Sequence, residues 1–179
     1  MLLVMVIAIA VLYHDGDKKE QKVEARYELF QAVPSDAVAM ACLSHVKDVS
    51  QPAFSGFTFL SSLSDAISQG QFSTISEAPM AFSLHYSGKL APLYIFDAGA
   101  ATQNPSSDAS ALMEFGRSKG LHTEYMDCSS VLDGEGLALH SLVLMAETET
   151  LLKSSRRHLS QGLSVMGNPG FSQAAEAAA

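Results

Sequence analysis

Six histidines, His14, His45, His85, His122, His140 and His158, and two cysteines, Cys42 and Cys128, are the residues on which metal or nucleophilic chemistry would have to rest. The histidines fall at neither H-x-H nor H-E-x-x-H spacing, so no single helix or strand face gathers two ligands. A metal site would need tertiary convergence, and no metal or other cofactor is expected. Serine is abundant, yet no G-x-S-x-G elbow is present to raise one into reach of a base. His140 and Ser141 are adjacent in a predicted strand, where neighbouring side chains point to opposite faces and cannot form a dyad. Cys42 and Cys128 belong to two different predicted strands. They form a candidate disulfide if those strands are neighbours in an oxidising compartment, and two separate buried thiols if they are not.

Asp97-Ala98-Gly99, with Thr102 beyond, closes an apolar strand in the outline of a D-x-G-x-x-T phosphate loop. The lobes and further phosphate motifs that such loops serve are missing, so the plain reading is a strand terminator: Asp leaves the sheet and Gly takes the turn. Asp133 and Glu135 sit on a Gly-rich hairpin tip, the usual place for solvated carboxylates. Arg156-Arg157-His158 places positive charge at a helix C-terminus, where it complements the helix dipole before it needs an anionic ligand. No catalytic, cofactor-binding or metal-binding residue is therefore assigned.

The elements that would position these groups are punctuated clearly. Ala37–Val46 reads as a buried strand of small apolar residues. Phe57, Leu60, Leu63 and Ile67 mark one face of a helix that ends at Gly70. Met80–Tyr86 alternates, with Met80, Phe82, Leu84 and Tyr86 on one face and Ala81, Ser83 and His85 on the other. It turns at Ser87-Gly88-Lys89 into Pro92–Asp97, a hairpin in which Pro92 demands an edge position or a strand starting at Leu93. Ser107 or Asp108 caps a helix to Gly120. Leu121–Ser129 and Leu137–Ala146 form a second hairpin, and a third helix runs from Glu147 to Gln161. Helix plus hairpin thus occurs twice, about 50 residues apart, without a residue-level repeat. The order strand-helix-hairpin-helix-hairpin-helix gives α+β, a two-layer sandwich on a mainly antiparallel sheet, after an N-terminal apolar helix.

The 179 residues are 47% hydrophobic and 17% charged, with net charge −8. That acidity speaks against a nucleic-acid partner, and the apolar content against a disordered chain. Met1–Tyr13 is an unbroken apolar run, which as a helix covers about 20 Å of the ~30 Å hydrocarbon core. No Lys or Arg precedes it. It reads as a transmembrane anchor or signal segment whose true start lies upstream, giving 1–14 as anchor, 15–35 as a charged stalk, and 36–167 as the α+β domain. Phe171–Ala179 lacks any helix stop, so 168–179 reads as the start of a C-terminal helix that continues in a longer protein.

An apolar anchor, a charged stalk and Val33-Pro34-Ser35-Asp36-Ala37 leading into a strand resemble uncharacterised envelope proteins of Gram-negative bacteria. Ser141–Leu159, a strand passing directly into a helix, adds to the likeness, which is closest to the domain-of-unknown-function 3352 family. The resemblance implies export, an inner-membrane anchor with the domain facing the periplasm, and a longer parent chain. It transfers no catalytic residue. Lys18, Lys19, Lys22 and Arg26 follow the apolar run and argue for the opposite orientation. The leading functional reading is a non-enzymatic interaction module, its partners the membrane and either another protein or the remainder of its own chain. The alternatives are an envelope hydrolase or ligand-binding enzyme with a site assembled only in three dimensions, and a secreted soluble binding module.

Overall fold

The computed structural model describes residues 29–50, 54–86, 88–99, 106–128 and 141–171. The apolar run 1–14, residues 15–28 of the stalk, the hairpin tip with Asp133 and Glu135, His140 and the tail 172–179 lie outside them. Five strands, β1 (Ala37–Leu43), β2 (Met80–Tyr86), β3 (Leu90–Asp97), β4 (His122–Asp127) and β5 (Ser141–Ala146), form one antiparallel sheet in the order β1-β2-β3-β5-β4. The helices α1 (Thr58–Ser68), α2 (Ser107–Ser118) and α3 (Glu149–Ser160) accompany it. The fold is α+β, with helices layered on an antiparallel sheet, as the order of elements predicts.

The period-two pattern decides which side chains go where. Met80 and Phe82 of β2 share a face with Tyr94 and Phe96 of β3 and Val143 and Met145 of β5. Phe59, Leu60 and Leu63 of α1 and Leu112 and Met113 of α2 pack onto that face. The residues between them, Ala81, Leu93, Ile95, Leu142 and Leu144, point the other way, onto Leu152 and Leu159 of α3 and onto Leu29, Phe30 and Val33. Cover on both sides follows from β3 and β5, continuous apolar runs that bury every position between Ala91 and Phe96 and between Ser141 and Ala146.

Pro92 lies within β3, which is a central strand, so an edge strand or a start at Leu93 is not what forms. The expectation fails because it treats β3 as uniform along its length. β5 ends opposite Leu93, and Pro92 is paired only with Leu84 of β2. From Leu90 to Pro92 the central strand has an open side, where a missing N–H costs nothing. The cap of α2 also differs from expectation. The Ser106 hydroxyl accepts from Ala109 N, while the Asp108 carboxylate accepts the Thr74 amide at 2.8 Å and ties α2 to the preceding loop. In that loop Phe72 adopts φ +58°. This left-handed backbone is unfavourable for a bulky residue, and it is held by a ring packed edge-on against Phe115 at 5.5 Å.

The repeated helix-plus-hairpin has a structural counterpart. α1-β2-β3 and α2-β4-β5 place their second strands side by side at the centre, Ile95 opposite Leu144, and both helices on one face. The two units thus share one order of elements, with β1 and α3 added outside them.

Candidate functional sites on opposite faces of the sheet

On the α1/α2 face, between the start of α1 and the end of α2, lies a cleft of about 690 Å³. Its walls are Gly56–Phe59 at the start of α1 and Lys119–Leu121 after α2. Leu84, Leu90, Pro92 and Tyr94 form its floor, and Glu147 lies at the rim. The floor is a ladder of cross-strand pairs that runs out of the core: Phe82 opposite Tyr94, then Leu84 opposite Pro92, then Tyr86 opposite Leu90. Exposure rises along it from 5% at Phe82 to 68% at Tyr86 and 56% at Leu90. Glu147 accepts from Lys89 Nζ at 3.0 Å. Burial, reinforced by that carboxylate, holds the Tyr94 phenol far above its ordinary pKa, so it stays a neutral hydroxyl. The Lys119 ammonium lies 5.2 Å from the centre of the Phe115 ring. The cleft therefore offers aromatic and aliphatic surface with two charged groups at its rim, an arrangement suited to binding.

On the α3 face the sheet carries a chain of polar side chains. The Ser83 hydroxyl lies 2.9 Å from His85 Nε2, and His85 Nδ1 lies 3.0 Å from Asp36 Oδ1. With the proton on Nδ1 donated to Asp36, Nε2 accepts from Ser83, which is the hydrogen-bond order of a serine hydrolase triad. The same Asp36 oxygen is 3.7 Å from His158 Nδ1 on α3, an atom without a hydrogen-bond partner. Desolvation lowers the His85 pKa, and the Asp36 carboxylate opposes the shift. Ser83, however, has no exposed surface and His85 is 3% exposed. The cleft opens on the other side of the sheet, so no substrate there can meet this hydroxyl.

The remaining candidates are placed plainly. Cys42 lies on β1 and Cys128 follows β4, the two edges of the sheet, with β2, β3 and β5 between them. Four strand spacings make about 19 Å, against the ~7 Å between Cα atoms that a disulfide can span. The candidate disulfide is therefore corrected: the two thiols are not joined. Burial, reinforced by Asp127 and Asp97, pushes the Cys128 thiol up to about 11, out of the reactive range. Asp97 Oδ1 accepts the Gly99 amide at 2.8 Å, closing its own turn as a strand terminator does; Thr102 lies outside the described residues. Arg156 pairs with Glu124 at 2.9 Å. His45 faces Asp48, and His122 sits on the far edge of the sheet from His85. Among the described residues no three His, Cys, Asp or Glu converge as a metal site, and no helix is long and apolar enough to cross a membrane.

Ser83 and His85 were legible as one face of an alternating strand. Asp36 was not, because it reaches His85 through the pairing of Ala37 with His85 across 48 residues. Comparison of the chain with protein-family models, with curated proteins and with solved structures gives no match.

Proposed function

We propose that this chain is a single-pass, membrane-anchored envelope protein whose α+β domain is an interaction module, and that the cleft is its contact surface for a protein partner. One observation carries the reading: the apolar ladder from Phe82/Tyr94 to Tyr86/Leu90 leaves the core and reaches solvent without a polar interruption. An exposed aromatic shelf continuous with a cleft is the usual form of a surface that a partner covers. The apolar run Met1–Tyr13 and the charged stalk support the anchor, and the likeness to envelope proteins supports a domain in the periplasm, against the orientation that Lys18, Lys19, Lys22 and Arg26 favour.

The test is a photo-crosslinking residue at Leu90, in the full-length protein in fractionated cells of its source, with Leu163 as the comparison site. Leu163 is also exposed (48%) but precedes Ser164, on the bridge to Pro34. The expected result is a discrete membrane-fraction adduct from Leu90 alone, at a mass other than two copies of this chain. No adduct, or the same adduct from both sites, would overturn the reading.

The relay favours a second reading, an envelope hydrolase. It requires Ser83 to become accessible, and labelling by a fluorophosphonate that disappears in Ser83→Ala would establish it over the first. A secreted soluble binding module differs only in the fate of residues 1–14, and alkaline extraction of membranes separates the two.

A further inference from the structure

Three groups at the inner end of the cleft carry positive charge or an open hydrogen-bond donor. The first is Tyr94, which is 2% exposed and whose hydroxyl makes no hydrogen bond among the described residues. The carboxylate that reinforces its hold on the proton is Glu147 at the rim, so the hydroxyl end lies toward the cleft. A buried donor left open in this way is unfavourable until something in the cleft accepts from it. The second is the start of α1. Phe57 gives it no side-chain cap and its first turn has no acidic residue, so its amides keep the partial positive charge of a helix N-terminus. Phe57 packs on Phe82 and Phe59 on Tyr94, with ring centres 4.6 and 4.7 Å apart, which sets this helix end at the buried end of the ladder. The third is Lys119. Its ammonium stands over Phe115, whose ring centre is 6.1 Å from that of Phe59, and it pairs with no carboxylate among the described residues.

The other polar groups nearby are already matched. Glu147 and Lys89 neutralise each other at 3.0 Å. The last carbonyls of α2 accept from the amides of Lys119, Gly120 and Leu121. What is left is a positive, donor-rich end on a chain of net charge −8, joined to an apolar floor.

We propose that the cleft takes the C-terminal residues of a partner chain. The terminal carboxylate lies between the start of α1, the Tyr94 hydroxyl and Lys119, and apolar side chains run outward over Leu84/Pro92 and Tyr86/Leu90. The carboxylate follows from the charges, since every unmatched group at that end donates a proton or attracts an anion. The peptide follows from the floor. Tyr94, Pro92 and Leu90 are alternate residues of one strand, about 6.8 Å apart. That is also the spacing between the last side chain of an extended peptide and the side chain two residues before it. The inference rests on the cleft being a contact surface and states which end of the partner enters it.

The test uses the full chain in lipid nanodiscs and fluorescent hexapeptide pools whose last and third-from-last residues are Leu, Val or Phe, made as free acids and as amides. The free acids are expected to bind about tenfold more tightly, because a carboxylate makes charge-assisted hydrogen bonds that an amide does not. Lys119→Glu, at an exposed side chain, is expected to remove most of that preference. Tyr94→Phe is expected to weaken the free acids about threefold with the urea midpoint unchanged, because the hydroxyl it removes has no partner in the fold. Acids and amides binding alike, no binding by either pool, or a preference kept in both variants would overturn the inference. So would tighter binding by dodecanoate, which would make the ligand an acyl chain, or by amidated peptides ending in Glu, which would make it an acidic side chain. A Leu90 adduct in cells alongside any of these results would keep the contact surface and remove only this occupant.

Discussion

The two faces of this sheet share five strands and treat polarity in opposite ways. On the α1/α2 face the aromatic ladder begins fully buried and ends in solvent, so apolar surface that could have been covered is left open. On the α3 face Ser83 and His85 are drawn inside and matched to one another and to Asp36. The difference teaches which observation points to function. A triad-like order of hydrogen bonds is what any buried histidine needs to avoid an unpaired nitrogen, whereas an exposed run of Leu and Tyr contributes nothing to the fold it projects from. The open face is the functional candidate and the closed one a device of stability.

The largest effect that could break this contrast is in the core beneath the ladder. Phe96→Ala is expected to cost about 3–5 kcal/mol in urea unfolding, because Phe96 is fully buried against Phe59 and the sheet. Leu90→Ala, at the exposed end, should change stability by less than about 0.5 kcal/mol. Were the two comparable, the ladder would be structural from end to end and the cleft would lose its claim.

Next in size is the relay. Ser83→Ala leaves His85 Nε2 buried without its partner and is expected to cost about 1–3 kcal/mol. A stability equal to wild type would show that the hydroxyl is idle in the fold and would return it to consideration as a nucleophile.

The same histidine sets a pH dependence. Its folded pKa lies below the ordinary 6.5, chiefly through burial. The unfolded chain therefore takes up a proton near pH 6.5 that the folded chain resists. Stability is full above that value and falls as the pH drops toward the folded pKa. Urea midpoints between pH 7.5 and 5 should decline in wild type and decline less in His85→Gln. Equal slopes would mean that other groups govern the acid limb.

The smallest effect concerns the clasp of α3 on β4. Arg156→Ala removes an exposed ion pair with Glu124 and should cost about 0.2–1 kcal/mol. A larger loss would show that α3 is held at its rim rather than by Leu152 and Leu159.

Much of the sheet was legible because alternation in β2 and the unbroken apolar runs of β3 and β5 are local properties. The helix of residues 58–68 was legible for the same reason, its apolar spacing closing at Gly70. Strand order was not, since nothing in Leu93–Asp97 names Leu142–Ala146 as its partner. The misreading of Pro92 and the open choice between a Cys42–Cys128 disulfide and two separate thiols both come from that gap: each depends on which strand lies alongside and where it ends. The cleft was equally hidden, because its walls are two helix ends that neither repeat nor share a motif.

The position of β5 has a consequence for how the chain is made. β5 lies inside the sheet, between β3 and β4, yet among the described strands it is synthesised last. β4 has no other partner in the sheet, and β3 offers its Leu93–Asp97 side to β5 alone. From the moment Asp97 is made until Ser141 follows, roughly two to nine seconds at ordinary rates of synthesis, the nascent chain carries β3 with β2 on one side and its apolar Leu93–Asp97 side open on the other. Chaperones have their window there, and a ribosome that stalls within it would release a chain ready to aggregate.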